Sequence, residues 1–389
     1  MKETKVPEMK VYLITGEPSG DLLGSRLMRA MKKRTDVNVH FFGVGGETME
    51  KEGLDSLFDI SDLAVMGILE VLPSIPKILR HMDAVIADIQ KKQPDIIVTI
   101  DSYSFSARIH KKLKKTKCNI PHVHYVAPQV WAWKKGRAKK VAHFMDHLFC
   151  LLPSEPAYFT PHGMASSFVG HPVVEGGAAE GKGHRFKKDF LISQKTLVVG
   201  MLPGSRKNEI KYLLPIFMKA VENLAETYPD LCVVIPTVKT VREKLKAALK
   251  GWRIQHIVVE GEKDRYDAFA AMNVAVAASG TVSLELAMAG VPHLIAYRVN
   301  KLTEWMARCL LKIKYVNLIN LLSDREIIPE LLQQDCTPPK ICACMEKLIR
   351  QKNPIMQQNF EQLKAPGGAA PSDVVAQKLV DMVYKGVQK

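Results

Sequence analysis

Long apolar runs are missing from this 389-residue chain. No stretch reaches the roughly 20 apolar residues needed to cross a bilayer, so any membrane contact is expected at the surface only. The first nine residues are polar and lack the apolar core of a secretory signal. Cysteines number seven, scattered as Cys118, Cys150, Cys232, Cys309, Cys336, Cys342 and Cys344. An odd, scattered set forms no disulfide framework and fits a reducing cytoplasm. Aromatics are 7% of residues and interleave little with the charges. With no helix-turn-helix, zinc-finger or RNA-binding signature, nucleic acid is disfavoured as a partner. Neither a G-x-G-x-x-G, a P-loop lysine nor a G-x-S-x-G elbow occurs.

Acid is missing from one long stretch. Between Asp101 and Asp146 there is no carboxylate, while Arg108, Lys111, Lys112, Lys114, Lys115, Lys117, Lys134, Lys135, Arg137, Lys139 and Lys140 all fall there. The whole chain carries a formal net charge of +15. This balance points to anionic partners, lipid or phosphate before nucleic acid, or to the solvated face of a basic enzyme. Hydrophobic residues at 47% and charged residues at 24% are ordinary for a globular protein and exclude extended disorder.

What is present is a regular alternation. Short apolar runs at 11–15, 41–44, 96–100, 122–126 and 147–152 alternate with amphipathic stretches such as 21–33. A second series runs through 197–202, 231–236, 257–260, 274–278 and 293–297, with helix candidates at 209–226, 240–248, 281–289 and 339–350. This alternation predicts the α/β class: two doubly wound, Rossmann-like domains facing a cleft. The expected division is 1–175, a glycine-rich linker at 175–188, then 189–364. After the break Ala365-Pro366-Gly367-Gly368, the tail 365–389 is expected to return to the first domain through a helix at 372–384 capped by Ser372.

Two segments of the second series suit a diphosphate. Gly204, Ser205 and Arg206 follow one apolar run; Ser279, Gly280 and Thr281 follow another, with Glu285 one turn further on. Glycine lets backbone approach a ligand closely, and a new helix aims free N–H groups at an anion. Arg206 adds a bidentate charge, and Glu285 can accept from a ribose hydroxyl. Together they read as the two jaws of a nucleotide-sugar enzyme.

In the first series, Gly16-Glu17-Pro18-Ser19-Gly20-Asp21 follows one apolar run, Gly43-Val44-Gly45-Gly46 the next, and Asp101 the third. Each glycine turn reads either as a tight connection or as one wall of a site at the carboxyl end of a parallel sheet. Glu17 and Asp101 are carboxylates suited to general-base work on a hydroxyl. Trp131, Trp133, Lys134 and Arg137 read as a binder for an apolar body ending in an anion, or as core with a basic edge. His171 either faces the site or is structural. His122 with His124, and His143 with His147, have pairwise ligand spacing but lack further ligands, so no metal site is expected. The apolar stretches 66–82 and 302–322 read as core or as an acyl-chain contact.

Taken in order, these motifs resemble the lipid-A-disaccharide synthase family over nearly the whole chain. The landmarks are 16–21, 43–46, Met66-Gly67 with Glu70-Val71-Leu72, Tyr125 to Trp133, Phe168 to Pro172, Leu202 to Arg206, Ser279 to Glu285, Ala296-Tyr297-Arg298 and Pro329-Glu330-Leu331-Leu332. The resemblance implies an inverting, metal-independent glycosyltransferase of the two-domain GT-B fold, without cofactor, on the inner face of the cytoplasmic membrane of Gram-negative bacteria. The implied reaction joins UDP-2,3-diacylglucosamine to 2,3-diacylglucosamine 1-phosphate, giving the β-1,6 disaccharide 1-phosphate and UDP. UDP is then expected on Gly204, Ser205, Arg206, Ser279, Gly280, Thr281 and Glu285. The acceptor is expected near Gly20, Trp133, Lys134 and Arg137, with Asp101 or Glu17 as base. After Asp101 the family tends to carry a second acid and an Asn; Ser104 and Ser106 stand there in this chain. A non-hydrolysing UDP-sugar epimerase, transfer to an undecaprenyl-linked sugar and a regulatory nucleotide-sugar binder are the alternatives. A homodimer is compatible with all of them.

Overall fold

Twelve short strands build two parallel six-stranded sheets in a computed structural model, which describes residues 6–63, 68–116, 118–130, 136–278, 280–299, 314–351 and 360–386. The chain divides into two units, residues 1–172 with 362–389, and residues 173–361. The first sheet contains β1 (Glu8–Thr15), β2 (Asn38–Val44), β3 (Ile96–Ile100), β4 (His122–Tyr125), β5 (His147–Cys150) and β6 (Ser166–Phe168). The second contains β7 (Leu197–Leu202), β8 (Leu231–Pro236), β9 (His256–Val259), β10 (Val274–Ala277), β11 (His293–Tyr297) and β12 (Glu330–Leu332). The α/β class with two doubly wound sheets is therefore the one expected.

Helices connect the strands. In the first unit they are α1 (Pro18–Lys32), α2 (Glu47–Lys51), α3 (Ile68–Lys92), α4 (Tyr103–Lys115), α5 (Gly136–Val141) and α6 (Pro156–Phe159). The second unit has α7 (Gly183–Asp189), α8 (Lys207–Thr227), α9 (Arg242–Leu249), α10 (Glu262–Ala271), α11 (Thr281–Met288), α12 (Leu318–Ser323) and α13 (Pro338–Gln351). The chain ends in α14 (Pro371–Lys385), which packs on α1 in the first unit. Its Val375, Ala376 and Leu379 are buried with Leu23, Leu27 and Met31 of α1. Each such leucine-sized side chain contributes about 2 kcal/mol.

Strand order decides where loops gather. The first sheet runs β2-β1-β3-β4-β5-β6 and the second β12-β11-β10-β7-β8-β9. In each, the chain winds outward one way, then returns to the other side of its first strand. The reversal lies between β1 and β3, and between β7 and β10. Both faces of the first sheet are covered, so β1 alternates its contacts: Met9, Val11 and Leu13 face α1 and α14, while Tyr12 and Ile14 face α3 and α4. That is why it reads as a continuous apolar run.

Several expectations shift. The stretch 175–188 is not a linker: Gly183–Asp189 forms α7, which packs on α10 within the second unit, with Lys182 N–H donating to Asp267 (2.6 Å). Ser372 is not an N-cap; Ala370 holds that position and Ser372 is buried. His143 sits in a turn and His147 opens β5, so they share no helix. The edge strands β6 and β12 are three residues each, too short to show a periodicity. Helix α3 spans Pro73 and Pro76, which broke its pattern in the sequence. Much of the apolar stretch 302–322 (residues 302–313), along with Met66, Gly67 and the side chains of Glu70, Val71 and Leu72, lies outside the described residues.

One polar layer lies under the first sheet. The Thr99 hydroxyl is 2.7 Å from both His110 Nε2 on α4 and His124 Nδ1 on β4. The His110 and His122 ring centroids lie 5.3 Å apart with the planes tilted by 39°. Burial holds all three imidazoles below their usual range, His124 at about 4. Burial likewise takes His147 and His171 down to about 4. A group with a folded pKa below its unfolded value of 6.5 binds fewer protons when folded. Its stabilisation is complete above about pH 6.5 and is lost as pH falls toward 4. The urea midpoint is therefore expected to fall steadily across that window, and a flat midpoint between pH 6.5 and 4 would contradict the neutral state of this layer.

Candidate active site

The first half-site surrounds the reversal between β1 and β3. Asp101 and Ser102 leave β3 with φ of 55° and 43°, and Val126 leaves the adjoining β4 with φ of 83°. Left-handed backbone at non-glycine residues costs on the order of 1–3 kcal/mol each, and a β-branched residue there is a true outlier. Strain gathered on two adjacent carboxyl ends makes this edge the candidate site of the first unit.

Asp101 is held from several sides. Its Oδ1 accepts the Ser102 N–H (2.9 Å), its Oδ2 accepts the Ser19 hydroxyl (2.8 Å), and its carbonyl accepts the Ser106 hydroxyl (3.0 Å). Glu17 occupies the N-cap position of α1 and is half-buried on the neighbouring loop. Thr15 Oγ1 and Ser102 Oγ, at the ends of β1 and β3, are buried with no hydrogen-bond partner among the described residues. Orphaned hydroxyls between two strand ends suit a polar ligand. Arg137 lies over the Tyr103 ring at 4.9 Å, two residues from Asp101 in sequence, so a cation stands by this turn. Trp131, Trp133 and Lys134 lie outside the described residues.

The last residue of the glycine motif is structural. Asp21 is buried and accepts from Gly46 N–H (2.8 Å), Met49 N–H (3.0 Å), Thr48 N–H (2.9 Å) and the Thr48 hydroxyl (2.7 Å). It caps α2 and ties loop 16–21 to loop 43–46. Cβ atoms on Gly45 and Gly46 would collide with Met49 and Ile60. The structural reading of 43–46 therefore prevails. His171 is buried where its amide donates to Leu363 O (2.7 Å), which favours the structural reading of this residue.

The second half-site surrounds the reversal between β7 and β10, whose ends are joined by Ala278 N–H to Leu202 O (2.8 Å). Its two helix starts differ in charge. At α8, buried Glu209 accepts from the Ser205 and Arg206 amides (2.9 and 3.1 Å), from Arg206 Nη1 (3.0 Å) and from the Tyr297 hydroxyl (3.2 Å). Those amides already serve a carboxylate, and the Gly204 position is closed by the Glu209 side chain. What the Gly204-Ser205-Arg206 segment offers outward is the Arg206 guanidinium, whose side chain is 58% exposed.

At α11 no side-chain cap is present among the described residues. Gly280 is its N-cap with φ of 133° and makes no side-chain cap bond. A Cβ there would meet open space, so the glycine serves the backbone angle. Exposed Thr281 begins the helix, so of the pair this is the start with backbone N–H groups suited to an anion. Ser279 lies outside the described residues. Glu285, one turn on, accepts from Arg265 (3.0 Å) and the Tyr266 hydroxyl (3.3 Å) of α10, which fixes its side chain. Behind α11, Ser283, His293 and Asn317 form a buried hydrogen-bonded chain that anchors the helix to the sheet. Among the described residues no group of His, Cys, Asp and Glu side chains is arranged to hold a metal ion.

Glu209 did not stand out in the sequence as part of a site, and Ser19 did so only as one residue of the 16–21 loop. Glu209 was legible in principle, since a carboxylate three residues past an N-cap is a capping-box spacing. Nothing in the sequence joined Ser19 to Asp101, because that contact depends on a strand end 82 residues away.

Comparison with known proteins bears on this geometry. The family profile described as lipid-A-disaccharide synthetase matches residues 11–378. Lipid-A-disaccharide synthases of Paramagnetospirillum magneticum and Rhodospirillum centenum are 45% and 44% identical, covering 98% and 97% of this chain and 99% and 95% of their own. Among solved structures, the UDP-GlcNAc 2-epimerase of Neisseria meningitidis bound to UDP-GlcNAc matches with a TM-score of 0.63 at 14% identity, covering 96% of this chain and all of that one. That likeness is one of fold.

Proposed function

We propose a reaction path from the premise that this chain belongs to the lipid-A-disaccharide synthase family and is a glycosyltransferase that forms the lipid A disaccharide. The donor is UDP-2,3-diacylglucosamine, the acceptor 2,3-diacylglucosamine 1-phosphate, and the products the β-1,6-linked disaccharide 1-phosphate and UDP. The observation that carries the donor half is the start of α11 at the reversal of the second sheet, where no described side chain caps the helix.

The diphosphate lies on that helix start, against Ser279, Gly280 and Thr281, and Glu285 accepts from the ribose. Arg206, next to Gly204 and Ser205, leaves Glu209 to meet the charge that grows as UDP departs. The acceptor lies in the first unit, shaped by Gly20 and Trp133, with Arg137 and Lys134 toward its 1-phosphate. Its 6-hydroxyl oxygen attacks the anomeric carbon from the face opposite UDP. As that C–O bond forms, the hydroxyl proton passes to Asp101, and the breaking C–O bond leaves its electron pair on the β-phosphate oxygen. The transition state is oxocarbenium-like. Glu17 is the second candidate for the base. Asp101 is favoured because strained backbone and three hydrogen bonds hold it.

Both substrates carry acyl chains, so the enzyme works at the inner face of the cytoplasmic membrane. No described helix is long and apolar enough to cross a membrane. The acid-free stretch supplies the attraction. Lys112 pairs with Asp83 and Lys114 lies 3.8 Å from Asp146, while Lys111, Lys115, Lys139 and Lys140 are exposed. The latter four are the better candidates for anionic lipid.

Mass spectrometry of products from the two diacylated sugars tests the reaction itself: a disaccharide 1-phosphate is expected, and a UDP-sugar epimer would overturn it. Arg206→Ala is expected to lower UDP affinity and to cost about 2–4 kcal/mol in kcat/KM. Glu209 keeps three of its four contacts in that variant, so the protein should fold, and normal kinetics would remove Arg206 from the donor site. Asp101→Asn should nearly abolish transfer with UDP affinity close to wild type. If it retains most activity and Glu17→Gln does not, the two carboxylates exchange roles. Sedimentation with anionic vesicles should weaken with salt and on replacing Lys111, Lys115, Lys139 and Lys140 by Glu, each basic residue being worth about 1 kcal/mol at the surface. Binding indifferent to both would show a solvated face.

A further inference from the structure

The first turn of α1 rests directly on the Asp101 turn, and two glycines permit it. A Cβ on Gly20 would stand 3.0 Å from Ile100 O, and one on Gly16 would stand 2.9 Å from Ser102 Oγ. Tight packing at those two positions brings Ser19, exposed on the outer side of the turn, within 2.8 Å of Asp101 Oδ2. The other restraints on Asp101 are local: Ser102 and Ser106 lie one and five residues away. Ser19 alone among these reaches across from the neighbouring strand's connection.

We propose that Ser19 is a positioning residue whose hydroxyl, donated to Asp101 Oδ2, fixes the carboxylate rotamer that meets the acceptor hydroxyl. The inference rests on the assignment of Asp101 as base. A carboxylate oxygen has two lone-pair directions. With Ser19 in one of them, the other is left for the incoming hydroxyl. The Ser102 N–H holds the second oxygen, so rotation about the last side-chain bond would break two hydrogen bonds at once. Ser19 keeps its own proton throughout; only the acceptor's proton moves to Asp101. A base fixed in this way reaches its reacting geometry without paying for a rotamer search, a gain in kcat more than in binding.

Ser19→Ala separates this role from a purely structural one. Ser19 is exposed, so the variant should fold with an unchanged thermal midpoint. We expect kcat to fall about tenfold while KM for both substrates stays within about twofold, as for loss of one hydrogen bond to a charged group. Ser19→Thr keeps the hydroxyl and should restore most of the rate. In the Asp101→Asn background, Ser19→Ala should cost nothing further, because its effect passes through that carboxylate. A wild-type rate for Ser19→Ala, no rescue by threonine, or an undiminished effect in the Asp101→Asn background would each overturn the proposal. Full activity of Asp101→Asn alone would instead overturn the base assignment beneath it.

Discussion

A parallel sheet whose strand order reverses cannot cover its own centre. The connections leaving the two central strands turn to opposite faces, and the carboxyl ends between them stay open. This chain has that reversal twice, between β1 and β3 and between β7 and β10. Nearly every feature with chemical meaning depends on it. The strained Asp101 turn, the orphaned hydroxyls of Thr15 and Ser102, the Arg206 loop and the open start of α11 all stand at those two gaps. Elsewhere the sheets are sealed by apolar helices, and titratable groups caught there are pushed to their neutral forms.

The two helix starts of the second unit show how similar sequence can do opposite work. Both follow an apolar strand and a glycine. At α8 the chain supplies its own anion, Glu209, and spends the backbone amides on it. At α11 no described side chain intervenes. A resident carboxylate also keeps the Arg206 guanidinium close to home before any ligand arrives, so ligand binding there exchanges one anionic partner for another. Such an exchange costs less than desolvating an unpaired cation.

Much of this was legible in the sequence. Strands buried on both faces read as apolar runs, which located eight of the central strands closely, and the glycines and charges after them located the loops. The lipid-A-disaccharide synthase resemblance rested on those same loops. What escaped depended on distance or on length. Strands β6 and β12 are too short for any pattern. Helix α3 carries two prolines that a reader of periodicity takes for breaks. The glycines of 175–188 suggested a linker, but they are small because α10 passes close by: a Cβ on Gly181 or Gly183 would strike the backbone of Tyr266 or Ala270. His122 and His124 were visible as a pair, while His110, the third member of their layer, is brought in by α4 alone.

That layer has a consequence in proton bookkeeping. The Thr99 hydroxyl owns one hydrogen and touches two imidazole nitrogens. It donates to one ring and accepts from the other, or it donates to the Val123 carbonyl oxygen at 3.4 Å and accepts from both, so the tautomers of the two histidines are coupled through this one hydrogen. Each arrangement keeps every ring neutral, and changing between them requires concerted ring and hydroxyl protons in a core closed to water. Slow solvent exchange of that single hydroxyl hydrogen would thus serve as a clock for the opening of the sheet at its most central pair of strands.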